Sequence, residues 1–331
     1  MVYDYIIIGG GISGLYALQE LHNKNQNYKL LLCDERNYLG GRILTHSNPH
    51  YEVGAGRFHD KHKLLLNLIE KYKCHKIPLS KKSIYYEQLP DNKIIQHLDM
   101  NKTLDILMRN IIKESKKHST AYLQKFTFSQ YLTHEYKEKK LAKIIKDIFG
   151  YDSEINEMNA YDSIKSFEND FLSNQFYILK EGLSELCNRM YNKLNSSPNI
   201  SFLLNFHVND VKKMKDLYQV TNHKKDFLGK NVIFAIKAPQ LKEFSILNKI
   251  HLFINCVHGA PLLRIYAKYP IKNRKVWFDN IPKIITNNVL RQIIPIDYKT
   301  GLIMISYTDN KDIDIFFQNK RKKTLKSKTQ I

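Results

Sequence analysis

Cysteine is scarce in this sequence and falls into no pattern: Cys33, Cys74, Cys187 and Cys256 stand alone, without CxxC spacing or a neighbouring histidine cluster. Scattered thiols of this kind argue against both a disulfide framework and a zinc site, so no metal is expected and a reducing, cytoplasmic setting fits best. Long apolar runs are missing as well; no stretch reaches membrane-spanning length without charge. The opening MVYDYIIIGG has no basic leader, and Asp4 and three glycines break its apolar stretch, so it does not read as a signal peptide. Negative charge is in short supply, with 32 acidic residues against 52 Lys and Arg and a formal net charge of +20. Such a balance invites a nucleic-acid or anionic-surface reading. The lysines, however, run through the whole chain beside many Asn, Ile and Tyr residues, so neither a specific nucleic acid nor a membrane is expected as partner. Only Lys320-Arg321-Lys322-Lys323, with Lys326 and Lys328, forms a true cluster, and such tails are usually solvated.

What is present is a chain of 331 residues, 43% hydrophobic, long enough for a nucleotide-binding domain and a second domain built from insertions. Tyr3 to Ile8 is a short isoleucine-rich run suited to a strand buried on both faces. Gly9-Gly10-Gly11-Ile12-Ser13-Gly14 follows at once. Gly9, Gly11 and Gly14 take the three fingerprint positions: the tight turn, the close approach of backbone to a pyrophosphate, and the close packing of helix on strand. Leu15, Leu18 and Leu21 then repeat at helical spacing, which puts free N–H groups of a helix N-terminus at the turn.

Lys29 to Cys33 reads as the second strand, and Asp34 at its end lies 20 residues beyond Gly14, the distance at which a carboxylate meets a ribose. Asp34 is the expected ribose ligand; an N-cap role is its alternative, and Glu35 could exchange places with it. Two further glycine turns follow, Gly40-Gly41-Arg42 and Gly54-Ala55-Gly56-Arg57, together with Arg36. Glycines let backbone pass close to a flat ligand and arginines pair with diphosphate, so these additions suit a dinucleotide longer than one adenosine half, FAD rather than NAD.

IIIGGGISGL, CDERNYLGGRILT and YEVGAGRF together resemble the flavin-containing amine oxidase family, the monoamine and polyamine oxidases and their relatives. The resemblance implies an α/β fold: a Rossmann-like FAD-binding domain with a helical cap and a second α+β substrate domain. It implies that Gly9, Gly11, Ser13, Gly14, Asp34, Glu35, Arg36, Gly41, Arg42, Gly54, Ala55, Gly56 and Arg57 contact FAD, with Val208 at the position where backbone meets the adenine. It also implies a small-molecule amine as substrate. A hydride equivalent would pass from the amine α-carbon to FAD, which oxygen then reoxidises, so no Ser, His or Cys nucleophile is required.

The expected division is 1–80 and 196–245 for the FAD-binding domain, 81–195 for a mostly helical cap, 246–315 for a substrate-domain sheet and 316–331 for a basic tail. Helical spacing marks Lys61 to Lys73, Thr103 to Lys117, Leu141 to Phe149 and Leu183 to Leu194. YILKEGLSELCNRM is similar to the strand, glycine turn and helix that precede the family's second cofactor-binding region, with Glu181 before Gly182 where paired glycines are common. Ile200 to Val211, Asp216 to Thr221 and Asn231 to Ile236 read as strands, the last halted by Pro239. Pro261 to Pro270, Val276-Trp277-Phe278, Leu290 to Ile296 and Leu302 to Tyr307 read as strands of the substrate sheet.

Within PLLRIYAKYP, Arg264 aligns with the lysine that many family members place beside the reactive flavin nitrogen. Arginine presents a broad, permanently charged fork instead of a compact, tunable ammonium. Past Tyr307-Thr308-Asp309 no segment resembles the family's later glycine-bearing stretch, which suggests a truncated or divergent terminus. Three rivals remain at this point: a flavoprotein that no longer catalyses, a nicotinamide-dependent enzyme sharing the βαβ opening, and a basic binding protein that acts through charge alone.

Overall fold

The computed structural model describes residues 1–98, 100–138, 140–171 and 175–317; most of the predicted basic tail lies outside the described residues. The chain forms two compact units, Met1–Pro78 with Phe176–Gly259, and Leu79–Gln175 with Ala260 onward.

The first unit is built on a six-stranded sheet. Strand β1 (Val2–Ile8) pairs in parallel with strand β2 (Leu30–Cys33) on one side and with Asp226–Phe234 on the other, and Ile200–Leu203 adds in parallel beyond β2. Tyr218–Thr221 and Asp210–Lys213 complete the far edge in antiparallel pairing. Alternate residues of the central strands feed opposite layers, as the period of a strand requires. Ile7, Leu30 and Leu32 pack with Leu15 and Leu18 of helix α1 (Ile12–Lys24) and with Leu183, Leu186 and Met190 of the helix Leu183–Asn195. Ile6, Ile8, Leu31 and Cys33 face the other way, onto Phe206, Val211, Val220 and Phe244. The stretch predicted as cap therefore divides: Phe176–Leu179 and Leu183–Asn195 pack in the first unit, because their apolar stripe buries against α1.

The second unit is a mixed six-stranded sheet under a layer of helices. Its strands run in the order Leu262–Lys268, Leu302–Asp309, Gln292–Asp297, Lys283–Thr286, Ser83–Gln88, Ile94–His97. Met304 and Tyr307 pack into a core formed with Met108, Phe128, Tyr131, Ile145 and Phe149 of the helices. The helix Phe128–Tyr136 starts at a capping box, in which Thr127 and Gln130 each satisfy the other's backbone N–H. Arg291, 2% exposed, is held by Asp147 at 3.3 Å and Asp312 at 3.4 Å and donates to the Lys146 carbonyl at 3.0 Å.

Three sequence expectations need correction. Val276-Trp277-Phe278 forms a turn, not a strand: Val276 and Phe278 are apolar because they plug against Ile303. The stretch expected to be mostly helical opens instead with a hairpin of Ser83–Gln88 and Ile94–His97, its turn spelled by Leu89-Pro90-Asp91-Asn92. Pro239 does not stop the preceding strand, which ends at Phe234; it occupies the first turn of the short helix Ala238–Leu241, where its missing N–H leaves no gap. Among the described residues, no helix is long and apolar enough to cross a membrane and no His, Cys, Asp or Glu group could hold a metal.

Candidate dinucleotide site at the first glycine turn

The site begins where β1 ends. Gly9, at φ +107°, turns the chain, and its N–H donates to the Cys33 carbonyl at 2.8 Å, which keeps the turn level with the tip of β2. Gly14 is buried in the first turn of α1, and a methyl group there would lie 1.9 Å from the Gly9 carbonyl oxygen, so helix and strand approach this closely only because Gly14 has no side chain. Gly11 is different. Beyond its chain neighbours, a Cβ on it would come no nearer than 3.9 Å to the Gly40 carbonyl oxygen and 4.0 Å to Gly41 Cα. A side chain at Gly11 would therefore make only ordinary van der Waals contact with the second glycine turn, so packing alone does not demand glycine there. Helix α1 has no side-chain cap and no acidic residue in its first turn, while Ser13 is exposed there, so uncapped N–H groups and the positive end of the helix dipole lie at the glycine turn.

Asp34 stands at the same turn. One of its carboxylate oxygens accepts from Gly10 N–H at 2.6 Å and the other from Arg36 N–H at 2.8 Å, which fixes the carboxylate beside the glycine turn. Each oxygen keeps a lone pair for a hydroxyl donor. Glu35 points elsewhere, toward His207 at 3.1 Å. Of the two carboxylates weighed from sequence, Asp34 is the one at the turn.

The second glycine turn folds back on the first: Gly40 N–H donates to the Gly10 carbonyl at 2.8 Å, and Gly41, at φ +60°, lies against Gly11. Arg36 spans this loop, donating to the Gly41 carbonyl at 3.0 Å and to Tyr38 Oη at 2.7 Å. The third turn joins through Arg42, whose carbonyl accepts from Ala55 N–H at 2.9 Å, while Gly54 leaves no room there for a side chain. Arg42 is exposed and Gly56 half-buried; Arg57 sits with its guanidinium 5.0 Å from the Phe176 ring centroid. Val208 lies in the segment that follows Ile200–Leu203, which leaves the sheet to run along the Asp34 tip: Phe206 N–H donates to the Asp34 carbonyl and Asn205 N–H to the Arg36 carbonyl, each at 2.9 Å. The Val208 side chain is buried with Phe206 and Val211.

Sequence reasoning missed Glu52, two residues before the third turn. Its carboxylate accepts from Leu183 N–H at 2.7 Å and from the Thr45 hydroxyl at 2.8 Å, and Thr45 and Ser184 exchange two further hydrogen bonds. Glu52 thereby caps a helix whose own N-cap, Gly182, offers no side chain. Its only sequence signal was a lone glutamate in YEVGAGRF.

Cys33 and Cys187 are buried beneath these loops, and burial pushes each thiol up to about 12, so neither supplies a thiolate. Arg264 lies in the second unit. Its guanidinium stands 4.7 Å over the Tyr307 ring and donates to Tyr307 Oη at 3.2 Å.

Comparison with known proteins agrees with this architecture. Residues 7–72 match the family of NAD(P)-binding Rossmann-like domains. An uncharacterized protein of Acanthamoeba polyphaga mimivirus is 35% identical over 94 residues, a match that spans 27% of this chain and only 17% of that protein. Among solved structures, a variant of putrescine oxidase superposes with a TM-score of 0.77 at 15% identity, over 96% of this chain and 78% of the oxidase. Cyclohexylamine oxidase from Brevibacterium oxydans IH-35A gives 0.71 at 17% identity, over 98% and 80%. With a dinucleotide-type βαβ opening and a likeness over nearly its whole length, the chain shares the fold of these two oxidases.

Proposed function

We propose that this chain binds FAD at the three converging glycine turns and is an amine-oxidase-type oxidoreductase acting on a small-molecule amine. The observation that carries the proposal is the first glycine turn, where an α1 N-terminus without a side-chain cap stands beside the Asp34 carboxylate that Gly10 N–H fixes at 2.6 Å. When bound, the flavin supplies the capacity to accept a hydride equivalent from an amine α-carbon. The protein's part is binding and orientation. The amides of Ile12 and Ser13 would hold the pyrophosphate and Asp34 would accept from the ribose hydroxyls, while Arg36 braces the second glycine loop. Gly54, Ala55, Gly56 and Arg57 extend the backbone cradle, and the chain at Val208 flanks the adenosine end. The buried, unpaired Cys33, Cys74 and Cys187 suit a reducing cytoplasm.

The test is to purify the protein under native conditions, release any bound cofactor by denaturation and identify it by chromatography. FAD is the expected product. Colourless protein that refuses added FAD, or release of a nicotinamide dinucleotide, contradicts the proposal. Peroxide release from a panel of amines then tests the reaction. Arg264 favours a second reading, a flavin-binding relative without amine turnover, because a guanidinium engaged with Tyr307 stands where the family resemblance places a lysine. Flavin absorbance with no peroxide from any amine is its signature.

A further inference from the structure

The chain has a single tryptophan, and the second unit holds it out to solvent. Trp277 lies between Val276 and Phe278, both buried against Ile303, so the backbone is fixed on either side while the indole is 58% exposed. The ring meets Tyr269 at 5.6 Å and Phe278 at 5.3 Å, and Phe278 meets Tyr298 at 5.9 Å. Just before Trp277 the chain makes a tight turn. Lys272 and Lys275 exchange backbone hydrogen bonds of 2.9 Å in each direction across Asn273 and Arg274, which stand at φ +50° and +63°. A turn of this type I′ kind favours Asn-Gly, and an arginine in the glycine's place is strained. Lys272, Arg274 and Lys275 are exposed at the turn, and Ile271, 48% exposed, stands on one of its arms with Trp277 on the other. Tyr269 N–H donates to the Gly301 carbonyl at 2.8 Å, which ties the exposed Lys268 and Lys299 to the same end of the sheet. The carboxylates of this region serve their own loops: Asp297 accepts from Lys299 N–H and the Thr300 hydroxyl, each at 2.8 Å, and Asp279 from Asn280 Nδ2 at 3.3 Å.

We infer that this end of the second unit docks on the surface of an anionic lipid membrane, with Lys272, Arg274 and Lys275 at the headgroups and Trp277 and Ile271 in the interfacial layer. An indole settles at headgroup level because its body is apolar and its N–H still finds an acceptor there. Basic side chains next to such a ring gain from the negative surface potential of the leaflet, and the formal net charge of +20 adds attraction at longer range. Along the sequence these lysines belong to a chain-wide background; the turn gathers them beside the one tryptophan. The aliphatic Ile271 favours lipid over nucleic acid as the partner, since bases stack on rings and gain nothing from an isoleucine. Flavin binding plays no part in the inference.

The experiment titrates the full chain with vesicles of phosphatidylcholine alone and of phosphatidylcholine mixed in equal parts with phosphatidylserine, and follows the Trp277 emission. Sedimentation with vesicles would also register the basic residues 320–328, whereas the lone indole reports its own surroundings. A blue shift with the anionic vesicles is expected, together with quenching by lipids brominated in the acyl chain near the headgroup, both weakened by salt. Arg274→Gly puts the preferred residue into the turn, so its melting temperature should match or exceed that of the unchanged protein, while vesicle partitioning falls about fivefold. Lys272→Gln added to it should bring the fall to about 25-fold. Unmoved emission with anionic vesicles, an equal shift with neutral ones, or undiminished binding by the double variant overturns the inference. A response to a single-stranded oligonucleotide with none to lipid overturns it in favour of nucleic acid.

Discussion

At the scale of single residues, the glycines of the first turn do unlike work, and substitution separates them. A methyl at Gly14 would lie 1.9 Å from the Gly9 carbonyl oxygen, an overpacking that cannot relax without moving α1 off its strand. Gly14→Ala is expected to cost about 1–3 kcal/mol of stability. A Gly11→Ala methyl would make only ordinary van der Waals contact, 3.9 Å from the Gly40 carbonyl oxygen, and the residue sits at the helix N-cap with φ −67°, which alanine adopts freely. Its melting temperature should stay close to that of the unchanged protein, at a cost of no more than about 1 kcal/mol, while FAD affinity falls at least tenfold. Thermal denaturation paired with flavin titration checks both; a Gly11→Ala protein that holds FAD as tightly as before would show that nothing approaches the turn at that position. These residues were legible in sequence because the constraint on each is local: a turn, a helix start, a strand tip. Glu52 was not legible, since its reason for being there is an amide 131 positions along the chain.

At the scale of elements, legibility followed period. The helices Leu141–Phe149 and Leu183–Asn195 repeat their apolar residues often enough to be read from spacing. Ile200–Leu203 proved shorter than expected because Asn205 and Phe206 leave the sheet to hydrogen-bond along Asp34 and Arg36, which no alternation of side chains records. The segment around Glu181 shows an element joint secured by charge. Burial works to raise the Glu181 carboxyl, but hydrogen bonds from the His75 ring and backbone outweigh it and bring it down to about 2 from an ordinary 4.5. A carboxyl lowered by folding contributes its full stability above 4.5 and loses it as pH falls from there toward about 2. The His75 side chain is 73% exposed, so solvent screening holds the contribution to about 1 kcal/mol. Urea denaturation from pH 5 to pH 2.5 should therefore show a shallower loss of stability in Glu181→Gln than in the unchanged protein. Identical slopes would mean that the joint is held by packing alone.

At the scale of the whole molecule, the glycine motifs foretold the dinucleotide-type unit, while the expected return of the chain to that unit at 196–245 came from the family resemblance and from no local pattern. Pairing between β1 and Asp226–Phe234 joins segments more than two hundred residues apart, and no local pattern announces such a partner. The strand edges of the first unit are completed from a second visit of the chain, at Phe176–Gly259, after an intervening stretch has entered the other unit. As the polypeptide emerges from the ribosome, its opening strand and helix must then wait, with one flank of β1 unpaired, until Phe234 has been synthesised. Nascent chains arrested before that point should stay sensitive to protease at the opening strand, however long the arrest. The interval between first and last strand delays closure of this sheet to late in synthesis, and a higher yield is the expected outcome when a holding chaperone is co-expressed.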